Sequence, residues 1–106
     1  GPQTSNGLTS ADAVCVPSST NTNSIQYYWI LVPAGTNSIQ ISAGYGSGDG
    51  NVYYNASNWA TSTSYNLSST NPDNTESITV FNPGSGYQYV SVVGARSGMT
   101  LKVTLE

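Results

Sequence analysis

The chain has 106 residues, of which 7% are charged, with two basic side chains, five acidic ones and no histidine. A net charge of -3, with only Arg96 and Lys102 to meet phosphates, excludes nucleic acid and an anionic membrane surface as partners. The length allows one domain with a single modest core. Neutral polarity, mainly serine, threonine and asparagine, replaces charge, a composition suited to a secreted, extracellular domain.

The leading Gly1-Pro2 reads as the scar of a tag-cleavage site, so the chain is expected to be a piece of a larger protein. Residues 1–23 are read as scar, linker and entry arm, polar throughout except for an apolar patch at Ala13 to Val16. Residues 24–106 are read as the single domain. The lone Cys15 has no partner for an intrachain disulfide and reads as a small buried hydrophobe.

No segment keeps a helical period, and β-branched and aromatic residues cluster in short runs between turn signals. Ile25 to Val32 is the first long strand, stopped by the turn Pro33-Ala34-Gly35. Ser38 to Ala43 follows with Ile39 and Ile41 on one face, then a glycine-rich loop from Gly44 to Gly50 and a strand from Asn51 to Asn55. Asn58 to Ser69 is irregular, with a short strand expected at Ser64 to Leu67. Glu76 to Phe81 places Ile78 and Val80 together, and Asn82-Pro83-Gly84 turns into the strand Tyr87 to Gly94. Met99 to Leu105 ends the chain with Met99, Leu101, Val103 and Leu105 inward and Lys102 outward. The fold class is therefore all-β, an antiparallel, jelly-roll-like β-sandwich.

Four segments, in order, resemble the bacterial pre-peptidase C-terminal domain of secreted proteases and collagenases. Tyr27-Tyr28-Trp29-Ile30-Leu31-Val32-Pro33-Ala34-Gly35 is similar to its opening strand, and Gly48-Asp49-Gly50-Asn51-Val52-Tyr53-Tyr54 to its Gly-Asp-x-Asp-Leu-Tyr-Val turn and strand. Asn74-Thr75-Glu76-Ser77-Ile78 and Tyr89-Val90-Ser91-Val92-Val93-Gly94 match two later strands. The stretch Asn55 to Tyr65 is similar to the terminal modules of Vibrio-type collagenases. The chain departs from the pattern at Asn51, where a second aspartate is usual, and at Tyr54, and it lacks a cysteine pair found in many members. The resemblance implies a non-catalytic, collagen-binding accessory domain of a secreted bacterial protease, monomeric and joined to a parent catalytic domain.

The residues themselves agree that catalysis is absent. Without histidine there is no Ser-His-Asp arrangement, zinc has no ligand set, and Lys102 faces outward, away from any serine it might activate. Asp49, Asp73 and Glu76 could be drawn as a glycosidase pair, but all sit in turn-like contexts where a carboxylate serves its own backbone. No cofactor is required. Calcium is the candidate metal, with Asp49 and Asn51 two residues apart before a strand and Asp12 in the entry arm. The competing reading gives Asp49 an Asx-turn and Asn51 a backbone bond.

Aromatic residues carry the functional expectation. The inward positions of the family's opening strand correspond to Tyr28, Ile30 and Val32, which leaves Tyr27, Trp29 and Leu31 on the other face. Val90 and Val92 inward leaves Tyr87 and Tyr89 outward. Tyr27, Trp29, Leu31, Tyr87 and Tyr89 are therefore expected on one flat sheet surface that binds collagen or another extracellular polymer. Tyr53, Trp59 and Tyr65 are secondary candidates, with Trp59 or Tyr65 as an anchor of its loop to the core. The alternatives are a chitin-binding carbohydrate module with the same aromatics, or a structural or secretion-processing segment with no ligand.

Overall fold

The computed structural model describes residues 6–106. The scar Gly1-Pro2 lies outside them. Ten strands follow in chain order: β1 (Val14–Cys15), β2 (Ile25–Val32), β3 (Ser38–Gly44), β4 (Ser47–Gly48), β5 (Asn51–Asn55), β6 (Leu67–Ser69), β7 (Glu76–Phe81), β8 (Gly86–Val93), β9 (Arg96–Ser97) and β10 (Thr100–Leu105). One sheet has the order β1-β10-β3-β7, a second β2-β8-β5-β6, and β4 pairs with β9 in a small third ribbon. Every strand pair is antiparallel. The architecture is an all-β sandwich, and among the described residues no helix is long and apolar enough to cross a membrane.

Alternation builds the core. β2 and β8 send Tyr28, Ile30, Val32, Val90 and Val92 inward, and β5 adds Val52 and Tyr54. They meet Ile39, Ile41, Ile78, Val80, Leu101 and Val103 of the facing sheet. Each fully buried aliphatic of this kind stabilises the fold by roughly 1.5–3 kcal/mol. Gln88, a long polar side chain beside them, is satisfied inside: the Tyr54 hydroxyl donates to its Oε1, and its Nε2 donates to the Pro83 carbonyl at 2.7 Å.

The entry arm belongs to this sandwich. Leu8 and Val16 are core residues, β1 pairs with β10, and the Ala11 N–H donates to the Val103 carbonyl at 2.9 Å. The domain therefore begins well before residue 24. Cys15 corrects the expectation of a buried thiol. Its strand neighbours Val14 and Val16 point inward, so the period of two sends Cys15 out, where it is exposed and free.

Two local differences have plain causes. The short strand after the irregular segment starts at Leu67 because Asn66 is spent closing the loop, with its N–H donating to the Tyr54 carbonyl at 2.7 Å. Within Gly44 to Gly50, read as loop, β4 forms because Gly48 sits at φ 103° hard against β9; a Cβ there would lie 2.5 Å from the Ala95 carbonyl oxygen. Arg96, opposite Gly48, is buried and acts as a clamp. Its Nε donates to the Pro17 carbonyl at 2.9 Å and its Nη1 to the Gly94 carbonyl at 2.7 Å, fixing the arm to the end of β8.

Candidate functional site

The outer face of the β2-β8-β5-β6 sheet carries the aromatics. Register places Trp29 opposite Tyr89 and Leu31 opposite Tyr87, so two cross-strand pairs stand side by side. Ser91 lies between Tyr27 on β2 and Tyr53 on β5. Leu31 and Tyr87 are 52% and 58% exposed, whereas Tyr27, Trp29, Tyr53 and Tyr89 are half-buried. All five leading candidates and Tyr53 thus share one face.

That face is not flat, which corrects the expected platform. The loop of residues 56–66 crosses it and sets Trp59 against two sheet tyrosines. The Trp59 ring lies 5.7 Å from Tyr27 at 76° and 4.8 Å from Tyr89 at 54°, centroid to centroid. Trp29 and Tyr87 make a second edge contact at 5.5 Å and 72°, and Tyr65 leans on Tyr53 at 5.0 Å. Trp59 and Tyr65 remain 46% and 45% exposed. Neither anchors the loop in the core; both dock on the outside of the sheet and extend the aromatic group.

Asparagines shape the loop that delivers Trp59. The Asn55 Oδ1 accepts from the Ser57 and Asn58 N–H groups at 3.0 and 3.2 Å, and the Asn66 Oδ1 accepts from the Ala56 N–H at 2.8 Å. Asn58 caps the next residue, its Oδ1 accepting the Trp59 N–H at 2.8 Å. Such side-chain turns follow no period of two or 3.6, so Trp59 could be singled out from sequence only as an aromatic, not placed. Beside it, Asn6, Tyr27 and Trp59 line a cleft of about 350 Å³. On the other side, Gly7 packs its backbone against the Trp29 indole, where a Cβ would come within 2.5 Å of Cζ2.

The Gly48 to Tyr54 turn is braced from β7. The buried Asn74 accepts from the Gly50 N–H at 2.7 Å and donates to the Tyr45 and Ser47 carbonyls at 3.1 and 2.8 Å. Glu76, 2% exposed, accepts from the Ser69 hydroxyl at 2.7 Å and the Asn71 N–H at 3.0 Å. Burial pushes its carboxyl above the usual range, and nearby Asp49 and Asp73 add to the rise.

No family model and no curated protein matches the sequence. Solved structures do match. The periplasmic inhibitor of g-type lysozyme, PliG, from Aeromonas hydrophila is 16% identical, over 91% of this chain and 88% of that one, at a TM-score of 0.63. The pre-peptidase C-terminal domain of collagenase from Bacillus anthracis is 18% identical, over 98% of both chains, at a TM-score of 0.62. The fold is that of a pre-peptidase C-terminal domain.

Within this pre-peptidase-type fold the remaining candidates find their places. Asp49 and Asn51 come together, as the calcium reading requires. With the Asn51 amide nitrogen turned toward its oxygen-only surroundings, it donates to the Asp49 Oδ1 at 3.1 Å, the Glu76 Oε2 at 3.2 Å and the Asn71 carbonyl at 3.3 Å. The two hydrogens of this amide are thus shared among three oxygens. Among the described residues no three His, Cys, Asp or Glu side chains are grouped to hold a metal. Lys102 is exposed on β10, in register with Ser42.

Proposed function

We propose that this chain is a non-catalytic accessory domain of a secreted bacterial protease, which holds its parent enzyme to insoluble collagen outside the cell. The observation that carries the reading is the aromatic-rich group on one sheet face, Tyr27, Trp29, Tyr87 and Tyr89 with the aliphatic Leu31, to which Trp59 is added by contact with Tyr27 and Tyr89. Tyrosine and tryptophan supply large, rigid contact area with a hydrogen-bonding tip, the composition of binding hot spots. Sharing its fold with a domain taken from a collagenase supports the same reading. Attachment to a polymer raises the local substrate concentration of a tethered catalytic domain through effective molarity, without new catalytic contacts.

No charged side chain belongs to this aromatic group, so retention should change little between low and high salt. The deciding measurement is a pull-down on insoluble collagen, with chitin and cellulose in parallel. Retention on collagen, lost in Trp29→Ala and Tyr89→Ala, is expected. Retention on chitin alone would make it a carbohydrate module, and no retention on any polymer would leave a structural or processing role.

A further inference from the structure

Resting on that reading of the aromatic face, we infer that its recognition unit is a single proline-rich chain in the polyproline II conformation, seated with a pyrrolidine ring in the cleft lined by Asn6, Tyr27 and Trp59. Ring geometry is the first argument. The four aromatic contacts have interplanar angles of 76°, 72°, 56° and 54°. Rings so inclined enclose notches rather than a coplanar surface. Polyproline II helices dock by dropping rings into aromatic-lined grooves.

Hydrogen-bond polarity is the second. A polyproline II chain rich in proline offers carbonyl acceptors and hardly any donors, because proline has no N–H and the helix has no internal hydrogen bonds. The cleft answers with donors. The indole N–H of Trp59 and the hydroxyl of Tyr27 have no partner among the described residues, nor does the hydroxyl of Tyr87 at the neighbouring Trp29–Tyr87 contact. The cleft's third lining residue, Asn6, has its side-chain oxygen engaged by the Gln26 amide at 3.3 Å, which leaves its own amide N–H groups as donors. Among the described residues no carboxylate lines the cleft.

Spacing is the third. The Trp29–Tyr87 notch repeats the Tyr27–Tyr89 diagonal two residues further along β2, about 7 Å away. Rings on one face of a polyproline II helix recur every three residues, roughly 9 Å. A chain crossing the strands obliquely reaches both notches. The cleft volume of about 350 Å³ is at the small end for ligand sites, with room for a short stretch of such a chain.

The test titrates the described chain with a synthetic oligoproline, a Gly/Ser peptide of equal length and a chitooligosaccharide, read by tryptophan fluorescence and calorimetry, beside the collagen pull-down. Saturable binding of oligoproline alone is expected. It should weaken at least tenfold in Trp59→Ala, while Phe81→Ala, on the opposite sheet, binds as wild type. Near-ultraviolet circular dichroism checks that Trp59→Ala keeps its core. Retention on collagen with no response to oligoproline would overturn the single-chain inference and leave the proposed function standing. Binding of the sugar in place of both would overturn the two together.

Discussion

The indole of Trp59 rests 4.8 Å from the ring of Tyr89, tilted at 54°, on the solvent side of a sheet whose other side is the core. A large aromatic held in this way stabilises little and presents much. Each aromatic pair contributes about 0.5–1.5 kcal/mol, and Trp59 makes two. Trp59→Ala is therefore expected to lower the unfolding free energy by about 1–2 kcal/mol, a shift in Tm of several degrees. Collagen retention should fall by far more than that loss explains. A thermal scan and a binding isotherm on the same variant separate the two effects; a collapse of Tm with no change in retention would make Trp59 a structural wedge only.

Gly7 and Trp29 form a steric pair at the edge of β2. The Trp29 N–H donates to the Asn6 carbonyl at 3.0 Å and the Leu8 N–H to the Trp29 carbonyl at 2.8 Å, so the arm is held at a distance that leaves no room for a side chain. Gly7→Ala should cost about 1–3 kcal/mol, the range for overpacking, and shift the tryptophan emission. Adding Trp29→Leu should recover much of that loss, because the clash is with the indole ring. Additive losses in the double mutant would place the strain elsewhere.

Strand alternation made most of this arrangement legible. The run Ile25 to Val32 sorts into an inner set headed by Tyr28 and an outer set headed by Trp29, and both sets occupy those faces. What stayed hidden depends on contacts that have no period. Leu8 sits singly in a polar arm, and the patch Ala13 to Val16 that holds Val16 is too short to show a period, so neither is marked as core. Trp59 reaches Tyr89 through turns made by Asn55, Asn58 and Asn66, residues that look interchangeable in an asparagine-rich chain. Ser91 is fully buried on the outer face, because its neighbours across the strands are Tyr27 and Tyr53.

Glu76 makes stability depend on pH in a definite direction. Burial raises its carboxyl above 4.5 in the folded chain, so the native state holds this proton more tightly than the unfolded chain does. Its contribution is thus greatest below that value and is lost as pH rises through the folded one. Glu76→Gln should flatten this part of the profile and gain stability at pH 7 relative to pH 4, as read by urea unfolding at both. An unchanged profile would show that another group is responsible. Because the Asn51 amide turns its hydrogens toward Asp49 and Glu76, adding calcium should leave Tm unchanged. A calcium-dependent rise would mean that Asn51 turns its oxygen inward to join them.

Tyr28 offers the matching test at high pH. It is fully buried, its hydroxyl has no hydrogen-bond partner among the described residues, and burial pushes its phenol up to about 12 despite the Arg96 charge, which pulls the other way. Folding therefore favours the protonated phenol, and stability is lost as pH rises from 10 toward 12. Tyr28→Phe removes both the unpaired hydroxyl and the titration. At pH 7 the variant should match or exceed wild type by up to about 1 kcal/mol, since an unsatisfied buried donor is a cost. Between pH 10 and 12 its advantage should widen by something on the order of 2–3 kcal/mol, the equivalent of a two-unit shift. Tyr54, also raised by burial, keeps part of the alkaline loss in the variant. A Tyr28→Phe chain clearly weaker than wild type at pH 7 would show that the hydroxyl is bonded inside the sandwich, to a trapped water held near Arg96.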